Sequence, residues 1–433
     1  MKNVLEWLEA TVAKYPDKPA FSDTESSITF RQVYDIARNT GAYLVEQLGV
    51  DRTPVAVFAG RKMVTPAYFL GVVYAGRPYA PIDASLPDKR IEKILENLCP
   101  RAIVADRESR EHVESIVDEL AKAEGFDRPQ IFIAEDISHF EQVACADSNC
   151  KISESSGDAV TDSENDTDGG VVAGCAGKTD DSALEKLATV RRQMSMTDPL
   201  YIIYTSGSTG NPKGVMTSHL SLMTYINAYC DVMHIEESDV LGNQSPLDYI
   251  AAIRDIYLPL KTGCSTAIIP KEYFMEPNAL FDYMNDKKVS SVGWSVSAFT
   301  ILTSLGAFEE VGLKSLRKIC FSGSVMPCRV LRKWQENLPE AHFVNQYGPT
   351  EATASCTYYS VDHLVEEDEV LPIGKAYDNY RVFLIDEHGN DPAVGEQGEI
   401  CVCGPILALG YYNDPERTAA AFTLNPLDRK STR

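Results

Sequence analysis

Residues 204–214 of this 433-residue chain read Tyr-Thr-Ser-Gly-Ser-Thr-Gly-Asn-Pro-Lys-Gly. Thr205, Ser206, Ser208 and Thr209 bring hydroxyls, Gly207, Gly210 and Gly214 open the backbone, and Lys213 adds a cation. Glycine lets main-chain N–H groups approach a ligand closely. Such amides, joined by Ser and Thr hydroxyls, form a concavity suited to phosphate. The spacing is not the Walker pattern, because Lys213 follows Pro212 and precedes Gly214. The bland reading is a flexible serine-rich surface loop. The apolar run at 199–204 (Pro-Leu-Tyr-Ile-Ile-Tyr) speaks against that, since it predicts a buried strand leading into the loop. Beyond Ser218, Leu220, Met223, Ile226 and Ala228 fall near helical spacing. A strand, a glycine-rich loop and a helix are therefore expected, the usual frame of a nucleotide site.

The elements around this loop point to an α/β fold. Helix, strand pair, helix and strand are expected over residues 3–60. A helix end then passes into a strand over 68–83, followed by a helix at 86–98 and a strand at 102–105. Further strands are expected at 266–269, 290–294, 318–322 and 342–344. This alternation predicts doubly wound, mostly parallel sheets in two lobes. From 371 to 422 short strands and turn residues predict a small β subdomain. Residues 143–182 carry nine acids against two lysines and few apolar residues, so a solvated acidic insertion is expected. Glu164, Asp166, Asp168 and Gly169 mimic the start of a calcium loop, but its twelfth position is Cys175 and the motif fails.

Composition narrows the partners. A net charge of −23 makes nucleic acid a poor partner, since phosphate backbones demand basic surface. No apolar run approaches the ~20 residues that cross a bilayer, so membrane insertion is not expected. Eleven cysteines without a Cys-x-x-Cys pair suggest free thiols and a cytoplasmic location. The seven histidines show no metal-ligand spacing.

Three further segments accompany the loop. They are Tyr-Ala-Gly-Arg-Pro-Tyr-Ala-Pro-Ile-Asp at 74–83, Asn-Gln-Tyr-Gly-Pro-Thr-Glu at 345–351, and Gly398-Glu-Ile with Gly404 and Gly410-Tyr-Tyr. In this order the chain resembles the adenylate-forming superfamily over residues ~5–422, specifically amino-acid adenylation domains and D-alanine–carrier protein ligases. The resemblance implies ATP-dependent activation of a carboxylic acid as acyl-AMP, then transfer to the phosphopantetheine thiol of a carrier protein. It implies that Thr205, Ser206, Ser208, Thr209 and Lys213 wrap the β- and γ-phosphates, with Gly207, Gly210 and Gly323 in the nucleotide site. Tyr347 would lie against adenine, with Asn345 and Gln346 at its edge and Gly348 and Pro349 in the following turn. Thr350 would contact the α-phosphate and Glu351 would hold Mg²⁺, a hard cation that prefers carboxylate oxygen. The bland reading of Glu351 is a first-turn helix acid.

The acyl pocket departs from the family. Residues 243–257 (Asn-Gln-Ser-Pro-Leu-Asp-Tyr-Ile-Ala-Ala-Ile-Arg-Asp-Ile-Tyr) align without gaps to the family segment, closest to the D-alanine ligase branch. The aspartate that pairs with the substrate ammonium falls on Ile250, which cannot neutralise a buried charge. Asp248, two residues earlier, is a substitute only if the loop shifts. The other matching positions are Ala251, Arg254, Trp294, Cys320, Ser322, Ala354 and Ser355. Arg254 in that pocket would favour a keto, hydroxy, aryl or dicarboxylic acid; its bland reading is a helix-surface residue paired with Asp255. The family's Arg-Thr-Gly-Asp segment, hinge and C-terminal subdomain with its lysine do not follow Phe422. The chain is thus expected to be a large N-terminal subdomain (1–422) with an unrelated tail (423–433), adenylating poorly. Two alternatives stand beside this: an acyl-CoA ligase of the same superfamily, and a non-catalytic nucleotide-binding scaffold.

Overall fold

Runs that are apolar at every position form three interior strands of the first sheet. Val55–Phe58, Tyr79–Ile82 and Ala102–Ala105 are buried at all four residues, as parallel strands covered on both faces must be. The computed structural model describes residues 2–58, 60–138, 181–206 and 210–427. Gly207, Ser208 and Thr209, residues 428–433 and nearly all of the acidic segment 143–182 therefore lie outside the described residues.

Two large sheets carry the fold. The first runs, edge to edge, through Gly410–Tyr411, Pro212–Ser218, Pro199–Ser206, Tyr79–Ile82, Val55–Phe58, Ala102–Ala105 and Gln130–Ile133. It is parallel from Pro199–Ser206 onward and antiparallel at the other edge. The second runs through Lys375–Ala376, Thr357–Val361, His342–Tyr347, Lys318–Ser322, Ser291–Ser295, Val240–Asn243, Ser265–Ile268, Pro19–Ser22 and Ser27–Thr29. Its interior is parallel and both edges are antiparallel.

The largest apolar cluster takes one face of each sheet. Val55, Val57, Tyr79, Tyr201 and Ile203 come from the first; Leu241, Cys320 and Val344 come from the second. Helices Phe30–Leu48, Thr65–Tyr74, His219–Met233 and Ala252–Thr262 fill the space between them. Separate clusters cover the outer faces. Side chains two apart on a strand share a face, so neighbouring residues of one strand serve different cores.

Two expectations change. The phosphate loop does not lead into a helix: Pro199–Ser206 and Pro212–Ser218 pair antiparallel, with Thr205 opposite Lys213. The helix begins only at His219, where the Ser218 hydroxyl accepts from Ser221 N at 3.1 Å. Ser218 is an N-cap whose signal also suits a strand end. The small β subdomain also shrinks. Only Arg381–Ile385 and Glu399–Cys403 pair by themselves, while Lys375–Ala376 and Gly410–Tyr411 extend the two large sheets. Two-residue strands gain most of their hydrogen bonds by joining an existing edge.

Candidate functional site

The described part of the hairpin loop places Lys213 directly across from Thr205. Helix Asp88–Leu98 steadies the hairpin from outside: the Tyr204 hydroxyl donates to Asn97 Oδ1 at 2.7 Å, and Lys93 Nζ donates to Asn211 Oδ1 at 2.9 Å. Thr205 Oγ1 is buried without a partner among the described residues. Ser206 is exposed, and Gly210 takes a φ of +78° with open space around its Cα.

Strand His342–Tyr347 brings the second half of the site. Alternation sends Val344 and Gln346 to the inter-sheet side and Phe343 to the outer core. Asn345 Nδ2 donates to Pro372 O at 2.9 Å, and the Tyr347 ring is part-exposed at the strand end. The chain then turns sharply through Gly348 and Pro349 into the short 3₁₀ helix Thr350–Ala352. A Cβ on Gly348 would sit 2.5 Å from Ser355 Cα and 2.7 Å from Cys356 N, so only glycine fits. Thr353 and Ala354 follow with φ of +48° and +76°. Left-handed non-glycine residues are costly and gather at functional turns. Thr353 is held there by its hydroxyl, which donates to Ile406 O at 2.6 Å.

The turn delivers Glu351 to Lys213. Lys213 Nζ lies 2.5 Å from Glu351 Oε1, and the Tyr411 hydroxyl donates to the same oxygen at 2.6 Å. Lys213 also donates to that hydroxyl at 3.1 Å and lies 4.8 Å from the Tyr411 ring centre. Burial works against ionising Glu351, but the bonds from Lys213 and Tyr411 outweigh it and hold the carboxyl below its ordinary range. Burial likewise opposes the Lys213 charge, and Glu351 and Tyr411 overcome it, raising its pKa. Backbone bonds stitch the three parts together: Ala408 N to Glu351 O at 2.8 Å, Leu409 N to Met216 O at 2.7 Å and Tyr412 N to Gly214 O at 2.8 Å. No role was foreseen for Tyr411. Its signal was the Gly410-Tyr-Tyr segment, whose partner strand could not be inferred from sequence.

A second cluster lies behind this turn. Arg254, nine-tenths buried or more, is no helix-surface residue. Its Nη2 donates to Gly293 O, its Nε reaches Asp255 Oδ1 at 3.3 Å, and its guanidinium stacks 5.4 Å from the Tyr229 ring centre. A Cβ on Gly293 would lie 2.1 Å from Arg254 Cζ, so a side chain there would push the guanidinium aside. Cys320 Sγ is 3.6 Å from Arg254 Nη1 and 3.3 Å from the Tyr229 hydroxyl. Ser355 Oγ lies 3.4 Å from Gln346 Oε1. Ile250 is buried, while Ala251, Ser322 and Ala354 are half-buried; Gly323 has a φ of +96° on an exposed loop.

Trp294 does not join this cluster. It is the neighbour of Gly293 on its strand and so faces the outer core, packed on Phe274, Phe299 and Trp334 with its Nε1 donating to Gly242 O at 2.8 Å. Asp248 also faces elsewhere, lining a small cavity with Arg61, Asp83 and Leu247. Burial, then the nearby Asp83 charge, raise its pKa. Tyr225, Tyr229, Tyr377 and Tyr380 surround Arg254 or its neighbours and were not anticipated; the i, i+4 spacing of Tyr225 and Tyr229 was the available sign.

An antiparallel hairpin whose Lys213 meets Glu351, in the turn after a parallel-sheet strand, is set in an α/β protein of two largely parallel sheets. The chain belongs to the AMP-binding enzyme family, which matches residues 8–412. It is 28% identical over 423 residues to the D-alanine–D-alanyl carrier protein ligase of Bacillus cereus (strain Q1), covering 97% of this chain and 73% of that ligase. Among solved structures it resembles FmoA3, a nonribosomal peptide synthetase, in its alpha-methyl-L-serine-AMP bound form, with a TM-score of 0.78 and 22% identity. That match covers 98% of this chain and 42% of FmoA3. The N-terminal subdomain of Klebsiella oxytoca NpsA, in complex with 3-hydroxyanthranilyl-AMSN, matches with a TM-score of 0.73 and 18% identity, over 98% of this chain and 92% of that one. At such identities these structures speak for the fold, a mixed α/β architecture with largely parallel sheets. No helix among the described residues is long and apolar enough to cross a membrane.

Proposed function

We propose that the chain binds ATP and activates a carboxylic acid as acyl-AMP, for transfer to the phosphopantetheine thiol of a carrier protein. The observation that carries this is the contact of Lys213, Glu351 and Tyr411 at the mouth of the hairpin loop. In the reaction an oxygen of the substrate carboxylate bonds to the α-phosphorus, and the bond from that phosphorus to the bridging oxygen breaks. Pyrophosphate leaves with the electron pair. Such a step needs positioning and charge neutralisation more than covalent help.

Lys213 supplies the cation for the departing phosphates. The Thr205 hydroxyl, which has no partner among the described residues, would donate to a phosphate oxygen. The part-exposed Tyr347 ring offers a stacking face for adenine. Glu351, held ionised, fits a hard divalent cation such as Mg²⁺. No group of three acidic, His or Cys ligands exists among the described residues, so phosphate oxygens would complete its shell. There it would neutralise phosphate charge. The carrier-protein acceptor is favoured over CoA by the kinship with the Bacillus ligase. ATP–pyrophosphate exchange, run with a panel of acids, is the test. Lys213→Ala is expected to lower exchange by about 100-fold or more, the scale for losing one group that stabilises transition-state charge. Exchange equal to the parent protein would refute the assignment.

A further inference from the structure

Arg254 is tethered on three sides but not on the fourth. Nη2 holds the Gly293 carbonyl, Nε holds Asp255, and one face covers Tyr229. Nη1 reaches only the Cys320 sulfur at 3.6 Å, a weak acceptor. Close by, three buried polar atoms lack a partner among the described residues, the hydroxyls of Tyr377 and Tyr380 and Gln346 Nε2, while the Tyr225 hydroxyl has only Ser355 beside it. They form one neighbourhood. The Tyr377 hydroxyl senses Tyr225, Cys320, Tyr380 and Arg254, and burial raises its pKa. Burial pushes Tyr225 up to about 12, against the pull of Arg254. Tyr377 and Tyr380 rings are 5.5 Å apart.

The neighbourhood abuts the phosphate-facing turn. Gln346 and Ser355 lie on either side of Gly348–Glu351 in the chain, and the bare Gly348 rests on Ser355. Buried hydroxyls and amides are nearly always paired in folded proteins, so several unpaired ones in one region beside a buried cation mark a place where a ligand supplies the partner. The missing complement is an oxygen acceptor. An ammonium would find no free carboxylate there. Asp255 is spent on Arg254 and on Asn243 Nδ2 at 2.9 Å, and Asp248 lines the cavity beside Asp83.

Resting on the acid-activating reading, we propose that this buried polar cluster receives an acid without an α-ammonium that presents a keto or carboxylate oxygen to Arg254, Gln346 and the tyrosine hydroxyls. The test is calorimetric titration of the whole chain with AMP and four acyl-sulfamoyladenosines: propionyl, alanyl, 2-oxopropionyl and succinyl. Either or both oxygen-bearing compounds should bind about tenfold or more tighter than propionyl, the scale of a charge-assisted hydrogen bond, and alanyl should bind more weakly than propionyl. Which of the two wins tells a keto from a carboxylate ligand. AMP binding with all four acyl compounds equal, or with alanyl tightest, overturns the assignment of this cluster while leaving nucleotide binding intact. Failure of AMP and all four to bind removes the acid-activating reading itself. Arg254→Met should erase the preference for oxygen over propionyl. Tyr377→Phe keeps the ring in place and should cut that preference roughly threefold to tenfold. It decides the matter if the arginine variant does not fold, and an unaltered preference in Tyr377→Phe would count against the proposal.

Discussion

Tyr411 holds a cation and an anion in one fixed arrangement. Its hydroxyl gives its proton to Glu351 and takes a hydrogen bond from Lys213, so each charge keeps a partner when no phosphate is present. Removing that hydroxyl leaves the direct Lys213–Glu351 contact but loosens its angle. Tyr411→Phe is expected to weaken ATP use by roughly threefold to tenfold, the net worth of one or two hydrogen bonds to charged groups. It should also move the acid limb of the pH–rate profile to higher pH, because Glu351 loses a bond that stabilises its ionised form. A variant with lower activity but an unmoved acid limb would mean that Tyr411 only packs the site. At this scale much was readable from the chain. Lys213 and Thr205 stood out by type and spacing within the loop, and Glu351 through the family resemblance of its segment; Thr205 lies opposite Lys213, and Glu351 meets it. Trp294, placed in the pocket by the resemblance, faces the outer core instead, because a one-residue step along a strand reverses the face.

At the scale of elements, the antiparallel hairpin positions the phosphate loop, and the turn at 348–354 positions the acid. Hydrophobic runs foretold some interior strands closely, Ala102–Ala105 and Lys318–Ser322 among them, since burial on both faces leaves an apolar signature, but Val240–Asn243 was not expected. The strand at Pro212–Ser218 was hidden because its residues, Pro-Lys-Gly-Val-Met-Thr-Ser, carry little strand signal of their own. It exists through pairing with Pro199–Ser206 on one side and Gly410–Tyr411 on the other, which is tertiary information. The turn after Tyr347 is tighter still. Gly348→Ala would drive a methyl into the Ser355 and Cys356 backbone, and is expected to cost about 1–3 kcal/mol of stability. Urea unfolding measures that loss, and AMP titration should show weakened binding even where the fold survives. A Gly348→Ala protein with parental stability and affinity would show that the turn relaxes freely.

Over the whole molecule, the N-terminal helix Leu5–Lys14 is tied to the core by a buried histidine. His219 begins the helix after the hairpin, and its Nδ1 accepts from Val4 N at 3.5 Å. Burial, aided by the Arg191 charge, lowers its pKa from 6.5 to about 3. The folded chain therefore keeps the ring neutral where an unfolded histidine takes a proton, so the unfolded state binds more protons and stability falls as pH drops below 6.5. Denaturant titrations at pH 7 and pH 5 should show about 2 kcal/mol more loss in the parent than in His219→Gln, from the pKa difference alone. Equal losses would place the ring in a wetter site. A lone histidine gave no hint of this in sequence, since its burial depends on a partner more than two hundred residues away.

The short strand Gly410–Tyr411 has one more consequence, and it concerns synthesis. A nascent chain that has emerged only as far as residue 350 carries the whole phosphate loop, yet it lacks both Glu351 and Tyr411. Its Lys213 has neither of the groups that hold it in the finished protein. The Lys213–Glu351–Tyr411 contact thus forms only after residues 410–411 have left the ribosome and lie along the hairpin edge. On the proposed reading, a chain ending short of Tyr411 would hold ATP more weakly than the finished one.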